Sequence, residues 1–298
     1  MKKNGQARSR ILLTGSRGQV GWELVRSLAT LGDVVALDSR RLDLADAAAI
    51  RRQVAEIKPA IIVNPAAHTA VDKAESEPER AYAINAIAPG VLAEAAESIG
   101  ALLVHYSTDY VFDGSGNEAR SEEAATGPLN VYGASKLAGE VAIQSACRRH
   151  LIFRTSWVYG QRGANFLLTM RRLCAERPEL KVVADQIGAP TWCRSLAEAT
   201  AQVLAQIESP LRGADKPPSW GVYHMSNAGE TSWHGFAEAI QALDGQAAQA
   251  RLLPIPSSDY PTPARRPLNS RLNNDKLQRV FGVRLPDWRE ALRLCMDR

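Results

Sequence analysis

The first half of the chain alternates short apolar runs with longer segments of helical periodicity. The short runs are rich in Ile, Val and Leu, which is typical of strands buried on both faces, and the amphipathic segments between them are typical of crossover helices. The predicted strands are Ile11–Leu13, Val34–Leu37, Ile61–Val63, Leu102–Tyr106 and Leu151–Thr155, and the predicted helices are Val20–Leu31, Ala47–Ile57, Ala81–Ile99 and Tyr132–Ala146. This alternation predicts an α/β fold with a doubly wound parallel sheet.

The second half is less regular and richer in Pro and Gly. Four segments have helical periodicity: Phe166–Ala175, Leu196–Gln206, Trp233–Leu243 and Pro286–Met296. Gly221–Met225 is predicted to be one more strand, the stretch around Pro210–Gly221 a surface loop, and Pro254–Pro267 extended.

Composition and charge exclude several classes of protein. With 298 residues, 45% of them hydrophobic and 23% charged, the chain resembles an ordinary globular protein. The net charge of +4 is too mild to indicate nucleic acid, and part of it lies in a basic leader, residues 1–10, that lacks the apolar core of a signal peptide. No apolar run approaches the roughly 20 residues that span a bilayer. The 4 cysteines and 5 histidines are scattered, which predicts reduced thiols in the cytoplasm and no metal site.

A glycine-rich turn follows the first strand. Gly15, Gly18 and Gly21 stand between Ile11–Leu13 and the first helix, so backbone at the turn and the helix N-terminus, including Gln19 and Val20, can approach a pyrophosphate. An acid after the second strand, at the usual distance of about 20 residues, completes the pattern of a Rossmann dinucleotide site. We therefore predict a dinucleotide-binding domain over residues 11–160 and a smaller C-terminal substrate-binding lobe over 161–298, with some elements returning to the main sheet.

The residues after the second and third strands give conflicting signals about the cofactor. Asp38 favours the ribose diol of NADH, whereas the arginines at 40 and 41, which follow Ser39, favour the 2′-phosphate of NADPH. We expect use of both NADPH and NADH. Further candidate cofactor contacts are Asp43 and Leu44, which could cover the adenine, and Ala66, Ala67 and His68 after the third strand; a plain turn is an equal alternative for the latter.

A tyrosine and a lysine form the candidate chemical centre. Tyr132 and Lys136 are spaced i, i+4 and share one helix face, so the ammonium can stabilise the anion of the phenol. Ser107 and Thr108 end the fourth strand and can hydrogen-bond a reacting oxygen. The spacing alone also fits a surface helix pair, but its place behind the glycine turn favours chemistry.

Several longer segments give the chain a specific resemblance. They are GQVGWEL (18–24), HTAVDKAESEPE (68–79), HYSTDYVFDG (105–114), PLNVYGASKLAGE (128–140), FRTSWVYG (153–160), QIGAPT (186–191) and PTPARRPLNSRL (261–272). By these segments, which run through nearly the whole chain, it resembles the extended short-chain dehydrogenase/reductase family, in particular its branch that reduces dTDP-linked 4-keto-sugars.

The resemblance implies an activity and a role for each matching residue. The activity is reduction of dTDP-4-dehydro-L-rhamnose to dTDP-L-rhamnose with NADPH or NADH, the last step of dTDP-rhamnose synthesis, which serves O-antigen formation. Tyr132 would protonate the 4-keto oxygen, and Lys136 would bind the nicotinamide ribose and lower the pKa of Tyr132. Thr108 would tune the tyrosine. Substrate contacts are expected from Asp109, Trp157, Arg266 and Asn269, with a core tryptophan as the alternative for Trp157 and a solvated basic loop as the alternative for Arg266.

The chain departs from the family at one point. Some members dimerise around a magnesium ion held by acids, the first of which matches Glu23, but Arg194 stands where another acid is expected. We therefore predict no metal-bridged dimer, while a homodimer of another kind stays open. Two alternatives also stay open: an epimerase or dehydratase with tightly held NAD, and a non-catalytic regulatory subunit of the same fold.

Overall fold

The computed structural model describes residues 8–208, 219–245 and 250–297. The strands are β1 (Arg10–Leu13), β2 (Asp33–Ala36), β3 (Ile61–Asn64), β4 (Leu102–Thr108), β5 (His150–Thr155), β6 (Val158–Tyr159), β7 (Glu179–Val183), β8 (Ile187–Gly188), β9 (Thr191–Trp192), β10 (Gly221–His224), β11 (Thr231–Ser232), β12 (Arg251–Ile255) and β13 (Asn269–Ser270). The helices are α1 (Gln19–Ser27), α2 (Ala47–Ile57), α3 (Val71–Ser76), α4 (Pro78–Tyr82), α5 (Ala88–Ile99), α6 (Val131–Ala146), α7 (Phe166–Glu176), α8 (Cys193–Ile207), α9 (Trp233–Leu243), α10 (Asp275–Phe281) and α11 (Trp288–Met296).

A six-stranded parallel sheet in the order β10-β5-β4-β3-β1-β2 forms the centre of the molecule, so the predicted α/β doubly wound fold is confirmed. The strand order reverses between β1 and β3, and in such sheets the crevice at the carboxyl ends of these strands binds ligands. The sixth strand, β10, is the predicted Gly221–Met225 strand, and it pairs with β5.

Successive residues of the central strands face opposite layers, as a strand period of two requires. Ile11 and Leu13 belong to one buried cluster and Leu12 to the other. A third buried cluster, which includes Tyr159, Phe236 and Trp288, lies among α7, α9, α11 and the short strands of the second half. The predicted domain boundary at residue 160 stays a prediction; α8, from beyond it, packs against α1.

Two expectations need correction. The predicted helix Ala81–Ile99 is interrupted by a π-helical segment at Ala83–Ile87, where Pro89 has no N–H to donate to the carbonyl of Asn85. The predicted leader extends one residue too far, because Arg10 pairs with Asp33 in the sheet. Residues 1–7 and most of the predicted loop around Pro210–Gly221 lie outside the described residues.

Candidate active site

The glycine turn between β1 and α1 builds one wall of a cleft of about 740 Å³ at the carboxyl edge of the sheet. Gly15 has a φ of 57°, and a Cβ there would lie 2.8 Å from the Cβ of Ala66. A Cβ on Gly21 would lie 2.1 Å from the carbonyl oxygen of Gly15. The turn can therefore close this tightly only with glycine at both positions.

The first turn of α1 is open toward the cleft. Gly18 is the N-cap of α1 and has no side chain to satisfy the first helical N–H groups. Gly18, Gln19 and Val20 all line the cleft, so the free N–H groups and the positive end of the helix dipole lie where an anion would bind. The tight glycine turn, which has no room for a Cβ at Gly15 or Gly21, and the uncapped N-terminus of α1 both fit the pyrophosphate of a dinucleotide.

Asp38, which follows β2, and Arg17, inside the glycine turn, lie close together. The Asp38 carboxylate accepts hydrogen bonds from the backbone N–H groups of Arg40 and Arg41 and lies 3.7 Å from a guanidinium nitrogen of Arg17. Arg17, Asp38 and Ser39 line the cleft. The Asp38 carboxylate therefore already has hydrogen-bond partners. The largely exposed Arg17 side chain can bind another anion besides Asp38.

Tyr132 reaches the base of the cleft because α6 packs closely against the end of β4. Asn130 caps α6 by accepting from the N–H of Gly133 at 2.8 Å, and a Cβ on Gly133 would lie 2.2 Å from the carbonyl oxygen of Tyr110. This close approach brings the Tyr132 phenol to Thr108, whose side chain hydrogen-bonds it.

Burial raises the pKa of Tyr132 above its usual value, and the hydrogen bond from Thr108 lowers it by less. Lys136 is not among the groups that shift this pKa, so the expected lowering by Lys136 stays a prediction. The Lys136 ammonium group is turned to the Tyr106 carbonyl oxygen at 2.6 Å and to Nε2 of His105 at 3.0 Å. Burial lowers the pKa of Lys136 to about 7, although nearby Glu140 raises it.

Asp109 follows Thr108 and faces the same cleft. It is 2% exposed, and burial raises its pKa to about 6 despite hydrogen bonds from Ser270 and Thr108. Its second oxygen, Oδ2, has no hydrogen-bond partner among the described residues, and the same holds for the buried hydroxyls of Ser107 and Thr155. Three residues that line the cleft thus each have a buried polar atom without a partner among the described residues.

An aromatic pair closes the opposite wall. Trp157 stacks on Trp233 with ring centroids 3.7 Å apart and planes 12° apart, and both residues line the cleft. Trp157 has a φ of 49°, which is strained for any residue with a side chain. The stack and the hydrogen bond from the N–H of Thr191 to the Trp157 carbonyl oxygen hold this conformation.

The structure brings most predicted site residues into this one cleft. They are Gly15, Gly18, Gln19, Val20, Asp38, Ser39, Ala66, Ala67, Thr108, Asp109, Tyr132, Lys136 and Trp157. Sequence reasoning missed Arg17, Thr69, Tyr110, Thr155 and Trp233, which also line it. Arg17 could have been found inside the glycine motif, whereas Trp233 has no local signal because it meets Trp157 only through the tertiary fold.

Five predicted contacts lie off the cleft, and four of them are held elsewhere by the packing or the hydrogen bonds of the protein itself. Leu44 is buried in the core beneath the sheet, and the Asp43 side chain accepts from the N–H of Ala45. His68 is held by a hydrogen bond from its N–H to the Asn85 side chain. Asn269 is 2% exposed and donates to the carbonyl oxygens of Ser115 and Glu118, so its amide is engaged within the protein.

Arg266 lines a neighbouring cavity of about 380 Å³ together with Tyr260, Arg265 and Leu268. Its guanidinium donates to Asp72 at 2.6 Å and lies 3.4 Å from the hydroxyl of Tyr110, which lines the main cleft. The basic cavity therefore adjoins the cleft through Arg266.

Two negative findings apply to residues 8–208, 219–245 and 250–297. No group of three or more His, Cys, Asp or Glu side chains there could hold a metal ion. No helix there is both long and apolar enough to cross a membrane.

Arg194 forms an ion pair with Glu198 at 2.8 Å, and Glu23 contributes to raising the pKa of Arg194.

Comparison with known proteins gives consistent matches over nearly the full chain. The family model described as RmlD substrate binding domain matches residues 9–298. A dTDP-4-dehydrorhamnose reductase from Burkholderia thailandensis is 53% identical over 96% of this chain and 98% of its own length. Among solved structures, a dTDP-4-dehydrorhamnose reductase from Clostridium acetobutylicum is similar with a TM-score of 0.90 and 38% identity, covering 97% of this chain and 98% of that one. A Bacillus anthracis dTDP-4-dehydrorhamnose reductase in complex with NADP has a TM-score of 0.89 and 37% identity with the same coverage.

Proposed function

The chain belongs to the RmlD substrate binding domain family, and from this and the cleft we propose that it reduces dTDP-4-dehydro-L-rhamnose to dTDP-L-rhamnose with NADPH or NADH. The observation that carries the proposal is the meeting of Tyr132 and Thr108 at the base of a glycine-walled cleft. A proton donor is thereby placed beside the site of a dinucleotide.

The glycine turn and α1 would hold the pyrophosphate, and Ala66 and Ala67 would flank the cofactor from the end of β3. When bound, the reduced nicotinamide supplies a hydride to the carbonyl carbon. Lys136 would bind the nicotinamide ribose. Arg17 supports use of NADPH, because its exposed guanidinium can bind a 2′-phosphate while Asp38 is already partnered.

Tyr132 would supply the proton to the 4-keto oxygen. In the direction of reduction a general acid has to be protonated at neutral pH, and the raised pKa of the buried phenol keeps it so. Its O–H bond breaks as a new O–H bond forms on the substrate, which leaves a phenolate. The Thr108 hydroxyl, which here donates to Oδ1 of Asp109, can turn its single proton to that anion and stabilise it, and a positive charge on Lys136 would do the same.

The sugar would lie between Asp109 and the aromatic pair. Asp109 Oδ2 can accept a hydrogen bond from a sugar hydroxyl, and Trp157 offers a flat apolar face for the deoxyhexose ring. The dTDP end would extend toward the neighbouring basic cavity, where Arg266 can exchange its ion pair with Asp72 for a phosphate oxygen.

A coupled assay tests the proposal. The 4-keto intermediate is generated from dTDP-glucose with a dehydratase and an epimerase, and the absorbance of NADPH or NADH is followed after this protein is added. We expect consumption of the reduced cofactor that depends on the keto-sugar and is lost in Tyr132→Phe. Confirmed substrate with no consumption of either cofactor would overturn the proposal.

Three further expectations belong to the proposal. We infer a cytoplasmic location, which is supported by four free, buried cysteines. The absence of a metal-bridged dimer and the lack of a nucleic-acid partner stay predictions from the sequence, and a homodimer of another kind stays possible. Size-exclusion chromatography with and without a chelator tests the first of these two, and salt-dependent DNA binding tests the second.

A further inference from the structure

A chain of buried polar side chains connects the glycine turn to Lys136. The Thr14 hydroxyl bonds Oδ1 of Asn64 at 2.6 Å, Nδ2 of Asn64 lies 3.1 Å from Nδ1 of His105, and Nε2 of His105 lies 3.0 Å from the Lys136 nitrogen. None of the four residues is more than 1% exposed. We call Thr14, Asn64, His105 and Lys136 the buried polar chain.

The hydrogen bonds of the buried polar chain can run in two directions. In the first, Thr14 donates to Asn64 and Asn64 donates to Nδ1 of His105. The proton of the neutral imidazole is then on Nε2, and it can be donated only to the lone pair of an uncharged amine on Lys136.

In the second direction every bond is reversed. An ammonium on Lys136 donates to Nε2 of His105, so the imidazole proton is on Nδ1, where the backbone of Asn64 also contacts the ring but the side-chain NH2 group of Asn64 would meet it donor to donor. The Asn64 amide must therefore turn over, and its NH2 group then donates to Thr14. A mixed state would leave two donors or two acceptors face to face in a buried site, where unpaired polar groups are costly.

We propose that His105 is a positioning residue that ties the charge of Lys136 to the direction of the buried polar chain, with Asn64 selecting its tautomer. The proposal rests on the proposed function only for its catalytic consequence. The side chain of Lys136 can take up a proton only if the imidazole and the amide change state with it. The buried polar chain thus sets whether Lys136 carries a positive charge near the Tyr132 phenol.

Two features of the surroundings support this coupling. Burial and the charge of Lys136 hold the pKa of His105 well below its usual value, so the ring stays neutral and acts through its tautomer. Glu140, one turn along α6, raises the pKa of Lys136, but it is itself bound by Arg154 of β5 through three contacts of 2.7 to 3.2 Å. The pKa of Lys136 stays at about 7, where both directions of the chain are accessible.

The neighbours of Lys136 on other elements are otherwise neutral. Asn85, in the π-helical segment, donates a hydrogen bond to the hydroxyl of Ser135, the residue before Lys136. The Tyr106 carbonyl oxygen, on β4, accepts a hydrogen bond from the Lys136 nitrogen. The Tyr132 phenol lies on the same helix. Since that carbonyl accepts from either form of the amine, His105 is the contact of Lys136 that distinguishes the two forms.

The direct test measures the His105 tautomer. The full chain is labelled with ¹⁵N-histidine, the ring nitrogens are observed by long-range ¹H–¹⁵N NMR between about pH 6 and 9, and His105→Gln assigns the signal among the 5 histidines. We expect Nδ1–H at the lower end and Nε2–H at the upper end. In Lys136→Met the tautomer should be the same at every pH. A His105 tautomer that never changes, or that still changes in Lys136→Met, would overturn the proposal, and neither result depends on the substrate.

A second test reads the catalytic consequence. Asn64→Asp keeps an acceptor for Thr14 and accepts from Nδ1–H permanently, so it favours the ammonium on Lys136. The alkaline limb of kcat/KM should move up by about one pH unit, the scale of one charge-assisted hydrogen bond. The matched control is Thr200→Val, which removes a buried hydrogen bond of 2.6 Å to the hydroxyl of Tyr106, a side-chain group of β4 outside the buried polar chain. If the alkaline limb of kcat/KM lies at the same pH in Asn64→Asp and Thr200→Val, the proposal is contradicted. A wild-type protein without reductase activity would count against the proposed function instead.

Discussion

Replacing Asp109 with asparagine should stabilise the folded protein at neutral pH, although it removes a side chain from the cleft. Asp109 is 2% exposed and its Oδ2 has no partner among the described residues, so its carboxylate is poorly solvated. Burial raises its pKa from 3.8 to about 6. The folded state therefore binds the proton more tightly than the unfolded state does.

The sign and size follow from linkage. A folded-state pKa above the unfolded value gives stability that is complete below about pH 4 and is lost as the pH rises through about 6. A difference of about two pH units corresponds to about 3 kcal/mol. Roughly half of this is lost by pH 5, so the advantage of Asp109→Asn should grow by about 1.5 kcal/mol between pH 5 and pH 8.

Urea unfolding of the wild type and of Asp109→Asn at about pH 5, 6.5 and 8 measures how their difference in free energy of unfolding changes with pH. Effects of the substitution that do not depend on pH cancel when the differences at two pH values are compared. The matched control is Asp113→Asn, because Asp113 is an exposed carboxylate whose pKa is lowered by hydrogen bonds from Ser115. Its difference from the wild type should not grow with pH. An Asp109→Asn difference that is equal at all three pH values would refute the reasoning.

Three further perturbations test other parts of the account. Tyr132→Phe should lower turnover by about 10²-fold or more in steady-state assays, with little change in cofactor binding, because only the proton donor is lost. Arg154→Met should lower the free energy of unfolding by about 3–5 kcal/mol, since it leaves Glu140 buried without its partner, and the double substitution of both residues by Met should recover most of that loss. Arg17→Ala should raise the KM for NADPH more than that for NADH, because the 2′-phosphate loses a cation.

Each of these has an outcome that would contradict it. Wild-type turnover in Tyr132→Phe would remove the phenol from the mechanism. A double Met variant no more stable than Arg154→Met would show that the loss comes from packing and not from an unpaired charge. Equal changes in KM for NADPH and NADH would place Arg17 away from the 2′-phosphate.

Local patterns predicted the sheet and the cofactor side of the cleft. Ile11–Leu13, the glycines at 15, 18 and 21, and Asp38 lie close together in sequence, and strand–turn–helix geometry places them without reference to the rest of the chain. Tyr132 and Lys136 could be predicted for the same reason, because one helix turn separates them.

What depends on distant segments could not be predicted. Trp233 joins Trp157 only because β11 pairs with β8, and Asn64 meets His105 only because β3 and β4 are neighbours. The hydrogen-bond partners of the Lys136 nitrogen could not be predicted either, since helical spacing shows that a lysine is near Tyr132 but not that its nitrogen contacts His105 and the Tyr106 carbonyl oxygen. Asn269 lies in a segment whose resemblance predicted substrate contact, yet its amide is engaged by backbone carbonyls.

The most direct measurement of the central claim follows the transferred hydrogen. The 4-keto-sugar is incubated with this protein and NADPH deuterated at the transferable position of the nicotinamide, and the nucleotide-sugar product is examined by mass spectrometry and NMR. The account predicts dTDP-L-rhamnose with one deuterium at C4 and a matching amount of oxidised cofactor, both formed about 10²-fold more slowly with Tyr132→Phe. A product without the label, formed with no net oxidation of NADPH, would contradict it and point to an epimerase that keeps its NAD.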